Sequence, residues 1–100
     1  MTYWLVRRRR GGPWDWSRDL RSQDGWDEHA DIMERWVDEG FIVLGGPIGD
    51  ENGSEVVHAI DAESEDAIRE KFAEDNWEQD GRLETVGIER WVVLLDGRER

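Results

Sequence analysis

The chain has 100 residues and no cysteine, with 25 acidic residues against 13 basic ones and a formal charge of −12. That length argues for one domain that buries a core but leaves roughly a third of the unfolded chain's surface exposed, a shortfall a partner subunit would relieve. The missing cysteine removes disulfides, thiolate metal sites and a cysteine nucleophile, and the surplus negative charge repels nucleic-acid backbones and anionic membranes.

Residues 3–8 read as a first strand, aromatic and β-branched at the front, running into Arg7–Arg10 and closed by Gly11, Gly12 and Pro13. The four arginines form an isolated basic island, too small for the many phosphate contacts of nucleic-acid binding. They are expected to end a strand and meet carboxylates, or to present Arg7 or Arg9 to an anionic ligand. The start of the chain has no basic segment ahead of an apolar one, and WVVLL at 91–95 is too short to span a bilayer. A cytoplasmic, soluble protein is therefore expected. Residues 14–24 read as an ordered loop in which Trp14 and Trp16 either close an end of the core or roof a pocket.

At 100° per residue, Trp26, His29, Ala30, Ile32, Met33, Trp36 and Val37 fall within roughly 160° of arc, opposite a charged face. This predicts an amphipathic helix stopped at Gly40, where a residue without Cβ accepts the left-handed conformation. His29 lies on its inward face, either as a half-buried core histidine or with its ring in a tryptophan-lined pocket. A second strand follows at 41–44, ending in Gly45, Gly46 and Pro47, where paired glycines permit close backbone approach or a bulge and proline suits an edge. A turn at 50–53 leads to a third strand at 55–60, carrying His58 on the side of Val56 and Ile60. No residue near it in sequence offers His58 a chemical partner, and it reads as a sheet histidine.

Ser64 caps a second helix with Glu65 and Asp66 in its first turn, favourable to the helix dipole. That helix gives way near residues 74–77, and residues 83–95 read as a last strand with an interruption at Gly87. The order β, α, β, β, α, β predicts a ferredoxin-like α+β sandwich over residues 1–96, a four-stranded antiparallel sheet with both helices on one face, followed by a polar tail at 97–100. The hairpin strands alternate weakly, which points to a second cover on the other sheet face and hence to a homodimer.

With these residues in view, the sequence resembles the YCII-related domain family of the dimeric α+β barrel superfamily. The resemblance is carried by WDEHA at 26–30, EGFIVLGGP at 39–47, DAESE at 61–65, EDNW at 74–77, IERW at 88–91 and GPWD at 12–15. It implies a catalytic pair of a histidine near the start of the first helix and an aspartate at the end of the second, here His29 and Asp75. The family follows that aspartate with proline and an aromatic residue. This chain keeps the aromatic as Trp77 but has Asn76 for proline, which leaves the turn less rigid.

The pairing makes chemical sense, because a carboxylate on one ring nitrogen fixes the tautomer and raises basicity at the other. Asp75 has a plainer reading as a solvated helix-terminal carboxylate. No metal-binding spacing accompanies the two histidines, and no cofactor is expected. The function that the resemblance implies is that of a lyase, isomerase or dehydrochlorinase-like enzyme acting on a small cyclic or aromatic molecule. His29 is its acid/base, Asp75 the orienting partner, Trp14, Trp26, Trp77 and Gly46 the pocket wall, and Arg7 or Arg9 the anion contact. The alternatives are a non-catalytic dimeric module that binds a small molecule or supports a larger enzyme, and a protein-interaction domain with Trp14 and Trp16 exposed.

Overall fold

The computed structural model describes residues 1–99. The elements run β1 (Tyr3–Arg10), α1 (Trp26–Asp38), β2 (Ile42–Pro47), β3 (Glu55–Asp61), α2 (Glu65–Phe72), α3 (Asn76–Asp80) and β4 (Leu83–Arg90), with 3₁₀ turns at Leu20–Ser22 and Gly97–Glu99. The strands form one antiparallel sheet in the order β2-β3-β1-β4. This is the ferredoxin-like α+β arrangement that the order of elements predicts.

Period-two alternation sorts β1 into two faces. Val6, Arg8 and Arg10 are buried, while Arg7 and Arg9 are exposed. Across the sheet, Val6 pairs with His58 and Arg8 with Val56, so the buried side chains of β1 and β3 share a face. On that face Val6, Ile42 and Ile60 pack with Ile32 and Trp36 of α1 and with Ile68 and Phe72 of α2. A smaller cluster joins Trp14, Val56, Trp77 and Leu83. On the other face Leu5, Val57 and Ala59 are half-buried, beside the more exposed Leu44 and Trp91.

Local chemistry sets the ends of the helices. Gly40 takes the left-handed conformation after α1, at φ 78°. The Ser64 side chain accepts the Ala67 N–H at the start of α2, and Arg69 and Lys71 occupy its last turn. The chain does not simply unwind at 74–77, as the sequence suggests. Asp75 starts a separate short helix by accepting the Trp77 N–H, and Gly81 closes that helix at φ 85°.

The strand ends also differ from expectation. β2 continues through Gly45 and Gly46 to Pro47, and its irregularity falls between Ile42 and Leu44. Because β2 is an edge strand, Pro47 interrupts no ladder. β4 stops at Arg90 rather than Leu95, because β1 begins at Tyr3 and the Trp91 N–H makes its bond to the Tyr3 carbonyl. The expected interruption at Gly87 coincides with a bulge, where Arg7 pairs with Gly87 and Arg8 with Thr85, skipping Val86. Of the expected polar tail, Gly97–Glu99 is a 3₁₀ turn, and Arg100 lies outside the described residues.

Gly45 stands opposite His58 in the β2–β3 ladder, and a Cβ there would lie 2.6 Å from His58 Nδ1. The glycine makes room for the imidazole. Gly45→Ala is expected to destabilise the protein by about 1–3 kcal/mol through overpacking. In a His58→Ala background the same change should cost less than half as much, a coupling that urea denaturation of the four proteins measures.

Candidate active site

His29 and Asp75, 46 residues apart in sequence, meet where α1 begins beside the N-terminus of α3. His29 Nδ1 lies 2.8 Å from Asp75 Oδ1, and both side chains are buried. Asp75 Oδ1 also accepts the Trp77 N–H at 3.1 Å, and Arg8 Nη2 donates to Oδ2 at 2.7 Å. The same Arg8 nitrogen reaches Glu78 Oε2 at 2.9 Å, and Thr85 Oγ1 donates to Glu78 Oε1 at 2.8 Å.

Burial by itself would raise the pKa of Asp75. The His29 hydrogen bond and the Arg8 charge outweigh it and hold the carboxyl below its ordinary range. Asp75 is therefore ionised at neutral pH and accepts a hydrogen bond from His29 Nδ1–H.

Tryptophan fixes the other sides of the histidine. The Trp77 ring stacks on the His29 ring at 4.0 Å with a 13° interplanar angle, and its Nε1 donates to the Asp24 carbonyl at 2.8 Å. Trp14 meets Trp77 edge-on at 5.2 Å, and Trp26 lies tilted 5.9 Å from it. Asn76, in the position where the resembled family has proline, donates to the Gly25 carbonyl at 3.0 Å. A hydrogen bond to the residue before α1 thus supplies restraint at this turn.

His29, Trp14, Trp26, Trp77 and Gly46 line one cavity of about 640 Å³, a size suited to a small organic molecule. Asp75 sits behind His29 rather than on the wall. Trp16 takes no part and is 59 % exposed, so the two indoles of the loop divide between core and surface.

The expected arginines are displaced by one residue. Arg7 and Arg9 lie on the opposite sheet face, where Arg7 pairs with Glu55 and Glu89 at 3.6 and 3.4 Å and Arg9 with Glu84 at 3.0 Å. Arg8 and Arg10 line the cavity instead. The burial of Val6 decides the parity, a signal already present in the alternation of the strand.

His58, read from sequence as a sheet histidine without a partner, lies on the cavity wall, buried, and neither ring nitrogen has a hydrogen-bond partner among the described residues. Burial above all, then the charges of Arg8 and His29, push its pKa down to about 3 against the opposing pull of Asp75. Its placement on the side of Val56 and Ile60 was the available signal.

No family model and no curated protein matches the sequence. Among solved structures, the chain is similar to 5-chloro-2-hydroxyhydroquinone dehydrochlorinase from Burkholderia phenoliruptrix in complex with 2,5-dihydroxybenzoquinone. The TM-score is 0.65 at 21% sequence identity, over 92% of this chain and 94% of that one. At that identity the likeness establishes a shared fold.

Asp75→Asn is expected to lower the unfolding free energy by about 1–3 kcal/mol, because it weakens the charged hydrogen bonds to His29 and Arg8 while Glu78 still faces Arg8; chemical denaturation at pH 7 measures it. His58 adds a pH dependence of its own. Its pKa is about 3 in the folded state against an ordinary 6.5, so the unfolded chain binds the extra proton between these values. Stability should fall as pH drops below about 6.5, by at most ~1.4 kcal/mol per pH unit from this group. Between pH 7 and 5, above the carboxylate range, His58→Gln should show a flatter profile of melting temperature.

Proposed function

We propose that the chain is a small-molecule lyase or isomerase of the dehydrochlorinase kind, acting as a cytoplasmic homodimer on a cyclic or aromatic substrate. His29 transfers the proton and Asp75 orients its ring. The observation that carries this reading is the 2.8 Å contact between His29 Nδ1 and a buried carboxylate, with His29 also lining a tryptophan-walled cavity. The YCII-related resemblance points to the same two residues. The similarly folded dehydrochlorinase, solved with a dihydroxybenzoquinone, supports a ring compound as substrate. The apolar sheet face around Leu5, Val57, Ala59 and Leu44 supports pairing with a second copy.

A chlorinated hydroxyhydroquinone illustrates the chemistry such a site supports. The carbon bearing chlorine gains a proton, two ring hydroxyls lose theirs as they become carbonyls, and chloride leaves with the C–Cl electron pair. The balance is loss of HCl, with no oxidant required. His29 suits it because Nε2 both accepts and returns a proton while Asp75 holds Nδ1–H in place. Trp14, Trp26 and Trp77 keep the ring in apolar surroundings, where electrostatic interactions are stronger than in water.

The alternative, a non-catalytic binding or accessory module, draws on the departure at Asn76. The hydrogen bond from Asn76 to Gly25 supplies restraint where proline is missing and weakens that argument. The deciding experiment follows chloride release and quinone absorbance from 5-chloro-2-hydroxyhydroquinone. His29→Ala should slow turnover by about 10²–10⁴-fold and Asp75→Asn by a smaller factor. Turnover by His29→Ala within a few-fold of the parent protein would remove His29 from proton transfer, and binding of the compound without conversion would favour the module.

A further inference from the structure

Arg10 is a buried arginine whose charge no carboxylate of the described residues contacts. Arg8, two residues earlier on the same face, meets both Asp75 and Glu78. Arg10 forms no ion pair among the described residues, in a chain with 25 acidic side chains against 13 basic ones. Its Nη2 donates to the Glu51 backbone carbonyl at 2.7 Å, and its guanidinium lies over the Trp14 ring at 4.1 Å. Nε and Nη1 have no hydrogen-bond partner among the described residues. Asp50, whose charge opposes the effect of burial on Arg10, is solvent-exposed.

Both Arg10 and Trp14 line the cavity that holds His29. The other charges on that wall are Arg8, already paired, and two exposed groups, Arg21, paired with Glu51, and Glu34. A buried cation without an acid partner is costly, and an anion that reaches it restores the missing compensation. Guanidinium groups favour oxyanions, to which they offer several donors in a plane. Trp14, stacked with Arg10, also provides an apolar surface for a flat ring.

We propose that Arg10 and Trp14 form an anion subsite, and that the cavity takes an aromatic or quinonoid ring bearing an acidic oxygen group, bound through that group to Arg10. The inference rests on the reading of this cavity as the ligand site and names the class of ligand. It does not require catalysis. Arg10 has no part in proton transfer; it selects the ligand by charge, while His29 acts on the ring.

The test uses 2,5-dihydroxybenzoate and its methyl ester, which share a ring and differ by one charge at pH 7.5, titrated calorimetrically into the full chain. The parent protein should bind the acid at least about tenfold more tightly than the ester. Arg10→Met should reduce acid affinity to that of the ester and leave ester affinity within about threefold. Arg10→Lys should retain a preference for the acid, and Arg9→Met, on the opposite sheet face, should retain all of it. Equal affinity for acid and ester in the parent protein, binding of neither, or a preference that survives in Arg10→Met would overturn the proposal. If Arg10→Met does not fold, as judged by its melting curve, the acid–ester comparison in the parent protein and in Arg10→Lys decides alone. Anion preference that persists in a His29→Ala protein with undiminished turnover would reject the proton-transfer reading and leave the subsite standing. Normal loss of turnover in His29→Ala without any anion preference in the parent would do the reverse.

Discussion

The carboxylate of Asp75 is the constraint on which the rest of this structure depends. A fully buried negative charge is strongly unfavourable unless its oxygens are hydrogen-bonded and a positive charge lies near. Here Arg8 comes from β1, His29 from α1, and the Trp77 N–H from α3, the helix that Asp75 itself caps. One side chain thus joins three elements, with partners 67 and 46 residues away. The contacts that keep it ionised also determine which His29 nitrogen carries the proton. The fold and the tautomer are therefore not separable, since a change that loosened the packing around Asp75 would also release the imidazole.

Two apolar clusters flank this polar group. The Arg8 guanidinium lies over Phe72 at 4.8 Å, in the cluster under α1 and α2, while His29 stacks on Trp77, in the smaller cluster with Trp14 and Leu83. The flat faces of an arginine and a histidine can be covered by aromatic rings without blocking the edges that make hydrogen bonds. Dry surroundings also strengthen each charge–charge contact. Trp77 has a further restraint, because its indole N–H is tied to the Asp24 carbonyl just before α1. The ring under the histidine is held from the same end of the helix that carries the histidine.

Much of this could be read from the residues, and the reasons differ for what could not. The 3.6-residue period of 26–37 located α1 and turned His29 inward, and the order of strands and helices led to the sheet. The separate helix α3 was hidden because its signal is a single capping side chain, Asp75, in a stretch that otherwise resembles a helix end. Residues 91–95 are strand-like by composition but lie outside the last strand, because a ladder also needs a neighbour and β1 begins only at Tyr3. The arginines of the site are hard to tell apart within a run of four identical residues, where composition says nothing and only the inward position of Val6 separates odd from even. Strand alternation places His58 on the inner side, but the groups around it, Arg8, His29 and Asp75, lie far away in sequence. No local pattern could have gathered them.

The distribution of charge sets a condition on any ligand. With a formal charge of −12, the molecule repels anions at long range, but at physiological ionic strength that repulsion fades beyond about 8 Å. Inside the cavity the balance is reversed. The carboxylates nearest Arg8 are already engaged with it, and Arg10 contributes a positive charge that no acid among the described residues contacts. An acidic ring compound is thus slowed in its approach and held only on entry, whereas a neutral one gains from the indole surfaces alone. Retention by short-range contacts makes selection depend on reaching Arg10, and the only cations on the outer sheet face of β1, Arg7 and Arg9, are occupied by Glu55, Glu89 and Glu84. By alternating outward and inward along one strand, the arginine run neutralises surface acids with one half of its members and supplies the interior with the other.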